Sequence, residues 1–231
     1  MSNTNEYSHM AKNTVSSENQ MRLGETIFGE NVDGKGKRVL FIGNSITLHD
    51  IRPSIGWHLF CGMAASCPEN DYVHITKKNI LEKDSDAAFC ICQSSGWERS
   101  YMNECHNEPY EAARNFNADI IIMRIIENCK ITEFQPEVFT KAYEGFIDYL
   151  NKSGKAKVIL TTGFWPHPGD ENIKRIGEKL GYPVVYLGDL GKDDSMMAKG
   201  LFEHEGVAVH PGDLGMKTIA DRIWHEIENL I

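Results

Sequence analysis

Nearly unbroken apolar runs of strand length alternate along this chain with stretches of helical spacing or composition. The runs fall at 38–43, 87–92, 119–126, 157–163 and 183–187. The run at 119–126, Asp-Ile-Ile-Ile-Met-Arg-Ile-Ile, is the strongest. Apolarity of that continuity marks a strand buried on both faces. Helices are predicted at 56–66, 71–82, 108–116, 136–151, 170–180 and 213–230. Val138, Phe139, Ala142, Phe146, Ile147 and Leu150 share one helical face, and Leu214, Ile219, Ile223 and Ile227 share another, with Asp213 placed to cap that last helix. Glycines at 56 and 62 indicate close packing within the first of these segments. Strands alternating with helices imply an α/β fold: a three-layer α/β/α sandwich, flavodoxin-like, around a parallel sheet of about five strands.

The N-terminal residues do not follow this rhythm. Residues 1–20 are polar and aperiodic, as a disordered tail would be. Residues 21–36 mix Leu23, Ile27, Phe28 and Val32 with four glycines, which fits a strand or a turn packed on the main domain. The chain is therefore divided into an N-terminal extension, 1–36, partly disordered, and a main domain, 37–231.

Composition narrows the partners. The 231 residues are 41% hydrophobic and 25% charged, which suits one globular domain, and the net charge of −9 with no Lys/Arg block argues against nucleic acid. No apolar run reaches the roughly 18 residues that span a bilayer. The first twenty residues carry no signal-peptide core, so a cytoplasmic location is expected. The six cysteines, at 61, 67, 90, 92, 105 and 129, read as buried free thiols, with Cys90 and Cys92 on one side of a strand. With no CxxC pair and no HExxH, a zinc site is a poor fit; no metal and no cofactor is expected.

Three strand or loop ends carry chemistry. Gly43-Asn44-Ser45 follows the first run, Glu127-Asn128 follows the strongest, and Val209-His210-Pro211-Gly212 precedes the last helix. The carboxyl ends of parallel strands share one edge, where open α/β folds bind ligands. Serine needs a base to take its proton and donors to hold the oxyanion it creates. Ser45, His210 and Asn128 supply these types, although each motif alone also fits a turn. Trp97, Trp165 and His167 follow strands at the same edge and are candidates for substrate contact. Arg124 and Glu98 are placed either to pair beneath the site or, for Arg124, to meet an anionic substrate.

In this order the motifs resemble the SGNH (GDSL-type) hydrolase superfamily over about residues 37–228. Gly43-Asn44-Ser45-Ile46-Thr47 is similar to its first block, with Asn44 where Asp is usual. Arg124-Ile125-Ile126-Glu127-Asn128 is similar to the third, with Ile126 replacing glycine. His210-Pro211-Gly212-Asp213-Leu214-Gly215-Met216 is similar to the last and is the most specific. The resemblance implies a carboxylic ester hydrolase with Ser45 and His210 catalytic, and an oxyanion hole of the Ser45 N–H, the Gly96 N–H and the Asn128 side chain. Ser95 is an alternative to Gly96.

The family's usual Asp, three residues before the histidine, is Val207 here. His210 must therefore lean on a main-chain carbonyl at 206–208, the simplest candidate, or on Glu205 or Glu127, or on Asp213 if that residue is not spent on capping the helix. The expected activity is hydrolysis of small O-acyl esters, O-acetyl sugars among them, by a Ser–His dyad. The alternatives are an O-acyltransferase using the same dyad and a non-catalytic carbohydrate- or partner-binding module on a degenerate hydrolase scaffold. The expected partner is a small-molecule ester, without nucleic acid or membrane.

Overall fold

A computed structural model describes residues 20–22, 26–103 and 107–231, so the expectation for the polar stretch lies, but for Gln20, outside the described residues, as does Cys105. Its strands are β1 (Gln20–Arg22), β2 (Ile27–Glu30), β3 (Arg38–Gly43), β4 (Ala88–Gln93), β5 (Ile120–Arg124), β6 (Lys157–Thr161) and β7 (Val184–Val185). Its helices are α1 (Tyr72–Lys83), α2 (Ser95–Ser100), α3 (Glu111–Phe116), α4 (Pro136–Leu150), α5 (Asp170–Leu180), α6 (Glu205–Ala208) and α7 (Asp213–Ile227).

One seven-stranded sheet has the order β1-β2-β4-β3-β5-β6-β7. From β4 to β7 the pairings are parallel, which makes the expected five-stranded parallel sheet in flavodoxin-like order. The segment before residue 37 adds to it: β2 runs antiparallel along β4, and β1 antiparallel along β2. Residues 27–30 are thus part of the sheet rather than an appendage.

Side-chain alternation explains the layering. Leu40, Ile42, Cys90, Cys92, Ile121 and Met123 face α3, α4 and α5, where Phe116, Phe139, Phe146 and Ile173 meet them. Val39, Phe41, Phe89, Ile91, Ile120 and Ile122 face α1 and α7 through Tyr72, Val73, Ile80, Ile219 and Ile223. Period-two strands present alternate residues to opposite faces, so each strand needs apolar residues at every position. Among the described residues no helix is long and apolar enough to cross a membrane.

Two expectations are corrected. No helix forms at 56–66; the segment is a loop held by the bridges His49–Cys61 and Arg52–Trp57. Gly56 and Ala64 take φ of 72° and 76°, outside the right-handed helical region, and the Gly62 N–H is taken by the Asp71 carboxylate. Trp57, Cys61, Met63 and Ala64 form a small apolar cluster there with Ala198 and Val207. Asp213 is not the cap of the last helix: Gly212 holds that position. The Asp213 carboxylate instead accepts from the Ser66 N–H at 2.8 Å, the Ser66 hydroxyl at 2.6 Å and the Asn70 amide at 2.9 Å.

Candidate active site

β3 and β5 are neighbours, but the chain leaves β3 for β4 on one side and reaches β5 on the other. This is the switch point at which open α/β sheets form a crevice. Ser45 lies just beyond β3, in a turn closed by hydrogen bonds from the Thr47 and Leu48 N–H groups to the Asn44 carbonyl. The turn is tight because Gly43 has no side chain: a Cβ there would overlap the Thr47 hydroxyl. That hydroxyl is 2.7 Å from the Tyr72 hydroxyl.

His210 is fixed on both sides of its backbone. Its N–H donates to the Val207 carbonyl at 2.9 Å, and its carbonyl accepts from the Ala198 N–H at 2.9 Å. The imidazole Nε2 is 2.9 Å from Ser45 Oγ, and Nδ1 is 2.6 Å from the Gly206 carbonyl oxygen. Nδ1 therefore carries the proton and donates it to Gly206, leaving Nε2 as acceptor for the Ser45 hydroxyl. Of the candidate partners for Nδ1, a main-chain carbonyl at 206–208 is the one in place. Val207 is buried in the Trp57–Cys61 cluster, an environment that excludes a carboxylate. Burial lowers the His210 pKa to about 4, against the pull of the Gly206 hydrogen bond. Trp165 stands edge-on to the imidazole, with ring centroids 5.3 Å apart.

The backbone N–H groups of Ser45 and Gly96 meet no protein acceptor among the described residues. Their neighbours are occupied: the Ser95 N–H donates to the Gln93 amide oxygen and the Trp97 N–H to the Tyr110 hydroxyl. This favours Gly96 over Ser95 as a free donor. The Asn128 side chain is gripped at both ends by consecutive residues of α2. Its Nδ2 donates to Glu98 Oε2 at 2.7 Å, and its Oδ1 accepts from Arg99 Nη2 at 2.7 Å. Its backbone N–H donates to Glu98 Oε1 at 3.2 Å. One of the two Nδ2 hydrogens is left for a ligand.

Beneath these groups lies a buried polar network. Asn44, 1% exposed, donates from Nδ2 to Glu98 Oε1 at 3.1 Å and to Glu127 Oε2 at 2.6 Å, and accepts from Arg124. Arg124, with no exposed surface, pairs with Glu127 at 2.7 Å rather than with Glu98 or a substrate. One guanidinium thus faces two carboxylates. Burial pushes both up, but Arg124 holds Glu127 below its ordinary value. Burial and the Glu127 charge push Glu98 up to about 7, against the hydrogen bonds from Asn44 and Asn128.

The other aromatic and histidine candidates are not brought to the site. Trp97 has no exposed surface and stacks on Phe146 at 5.0 Å, with Phe139 and Tyr143 edge-on. His167 is 8% exposed; its Nε2 donates to the Cys129 carbonyl and its Nδ1 accepts from the Gly169 N–H. Both side chains are consumed by the fold. Sequence reasoning missed Arg99, although its signal was present: a charged pair, Glu98-Arg99, in the first turns after Gly96.

A cleft of about 850 Å³ opens beside Ser95 and Gly96, walled by Phe28 of β2, Leu48, Arg52 and Arg99. Ser45 and His210 do not line it. Among the described residues no three His, Cys, Asp or Glu side chains gather as metal ligands would.

No family model matches the sequence, and no curated protein matches it. Solved structures do. A two-domain esterase active on acetylated mannans is 17% identical, with a TM-score of 0.57 over 86% of this chain, and this chain spans half of its length. An acetyl xylan esterase is 17% identical, with a TM-score of 0.55 over 82% of this chain and 99% of its own. A structure assigned as a GDSL-like lipase from Parabacteroides merdae is 15% identical, with a TM-score of 0.58 over 83% of this chain and 95% of its own. The fold is that of the SGNH (GDSL-type) hydrolases.

Proposed function

We propose that the protein is a serine esterase that hydrolyses small O-acyl esters, with O-acetyl sugars as the leading class. The observation that carries this reading is the Ser45 hydroxyl 2.9 Å from an imidazole nitrogen whose partner nitrogen is anchored to a backbone carbonyl. Two unoccupied backbone donors, on Ser45 and Gly96, support it.

Ser45 Oγ attacks the ester carbonyl carbon while its proton passes to His210 Nε2. The carbonyl oxygen becomes an oxyanion, met by the N–H groups of Ser45 and Gly96 and the free Nδ2 hydrogen of Asn128. Collapse of this intermediate breaks the ester C–O bond, and His210 returns the proton to the leaving alcohol. Water then attacks the acyl-serine, His210 again accepting the proton, and release of the acid regenerates Ser45. The Gly206 carbonyl orients the ring but brings no negative charge to the imidazolium, which is the difference from a triad with a carboxylate. The mannan esterase and the acetyl xylan esterase of like fold support the acetyl-sugar class.

The test is turnover of p-nitrophenyl acetate by the parent protein and by Ser45→Ala, together with a serine-reactive covalent probe mapped by mass. Ser45-dependent turnover and labelling at Ser45 are expected. Turnover that survives the substitution undiminished, or no turnover at all, removes the reading.

A further inference from the structure

We propose that the substrate carries a carboxylate, held in the cleft beside Gly96 by Arg99 and Arg52. This rests on the esterase reading and deepens it. The cleft begins at one of the oxyanion donors, so a substrate seated on Ser45 extends into it.

Arg99 is held in place by two neutral oxygens, Ser95 Oγ at 3.0 Å and Asn128 Oδ1 at 2.7 Å. It has no carboxylate partner among the described residues, and three of its five N–H donors remain. A guanidinium oriented by neutral acceptors is a receptor already formed for a planar anion. Arg52 lines the same cleft; the two-way backbone pairing with Trp57 fixes its position, at 2.8 and 3.3 Å, and no ion pair occupies its side chain among the described residues.

The remaining charges of the lining set the sign. Asp50 is exposed there and opposes the arginines. Burial holds the His49 imidazole below its ordinary range, so it adds no charge at neutral pH. Among the described residues, two guanidiniums against one carboxylate leave the lining net positive on a protein whose net charge is −9. A single positive excess suits a monoanion, and the guanidinium fork suits a carboxylate. The apolar wall of Phe28, Leu48 and Ile51 accommodates the carbon skeleton that bears it.

The carboxylate can belong to the alcohol or to the acyl part, and two matched pairs separate these sources. The first pair is 4-acetoxybenzoate and its methyl ester. The second is 4-nitrophenyl hydrogen adipate and its methyl ester. Arg52→Gln is expected to lower kcat/KM about tenfold for the charged member of one pair and to change the uncharged members less than about twofold. Asp50→Asn is expected to move the same charged substrate in the opposite direction, and added salt to reduce the difference between charged and uncharged members. Equal effects on charged and uncharged members in both pairs, or a rise in the charged-substrate rate with Arg52→Gln, overturn the carboxylate. If the uncharged esters are hydrolysed equally well by Ser45→Ala, the esterase reading falls and takes this one with it. If they are hydrolysed only with Ser45 present, the esterase reading stands whatever the charge series shows.

Discussion

The imidazole of His210 is anchored at 2.6 Å to the carbonyl of Gly206, four residues earlier in the same chain. Among the described residues no side-chain acid takes part. Glu205→Gln is accordingly expected to leave kcat within about threefold, far from the roughly 10⁴-fold cost of losing a triad acid. Placing an acid three residues before His210 is expected to do harm. Val207→Asp places an unpaired carboxylate among Trp57, Cys61 and Met63, costing about 3 kcal/mol or more of unfolding free energy. Ester assays and urea denaturation of both variants check this.

On the proposed mechanism, burial of His210 sets the acid limit of activity. His210 must be neutral to accept the Ser45 proton, and its pKa is lowered to about 4. The neutral fraction stays near one at pH 6 and falls only as pH drops towards 4. A free imidazole would already be half protonated at its ordinary 6.5. In Glu98→Gln, where the neighbouring carboxyl raised to about 7 no longer titrates, the log kcat/KM of p-nitrophenyl acetate hydrolysis should therefore be flat from pH 7 down to about 5 and bend below that. A bend at 6.5 contradicts the geometry.

Glu98 and Asn128 are expected to act as one unit. Glu98→Gln sets an amide against the Nδ2 of Asn128, donor facing donor, and displaces it. The expected loss in kcat is on the order of 10²-fold, the scale of one oxyanion donor. Asn128→Ala should cost a similar amount. The double variant should be no slower than the worse single one, because the second change removes nothing further. Multiplied losses in this cycle would show that Glu98 does not work through Asn128.

Arg124 and Trp97 test the difference between framework and site. Arg124→Met leaves Glu127 buried without its cation and is expected to cost about 3–5 kcal/mol. Trp97→Ala empties the centre of an aromatic cluster and should cost about 3–5 kcal/mol. In both, the lowered urea midpoint accounts for the activity lost. Trp165→Ala, beside His210 and only half-buried, should change kcat or KM with the midpoint little moved.

Much of this arrangement was legible because the sheet writes itself into the sequence. A strand covered on both faces must be apolar at every position, so β3, β4, β5 and β6 stand out as runs, and their order fixes which ends converge. Helices with one apolar stripe, such as α4, are equally plain. The 56–66 segment misled because its apolar residues serve a loop cluster, where neither period of two nor of 3.6 applies, and left-handed Ala64 leaves no trace in composition. Trp97 and His167 misled for another reason. They follow strands at the correct edge, but α2 begins at Ser95 and turns Trp97 inward, and His167 spends both nitrogens on backbone groups. Position along the chain located the edge; only side-chain direction could say who faces the ligand.

The strand at Ile27–Glu30 carries one more implication. It covers the edge of β4, its Glu30 is locked to Lys77 of α1 in a buried ion pair, and its Phe28 walls the cleft. A chain shortened to begin at Lys37 would expose the unpaired backbone of β4, an invitation to edge-to-edge association. It would also strand Lys77 in the interior and take away one side of the space that the substrate is proposed to fill. Solubility and selectivity would then fail together in such a protein, while Ser45 and His210 kept their places.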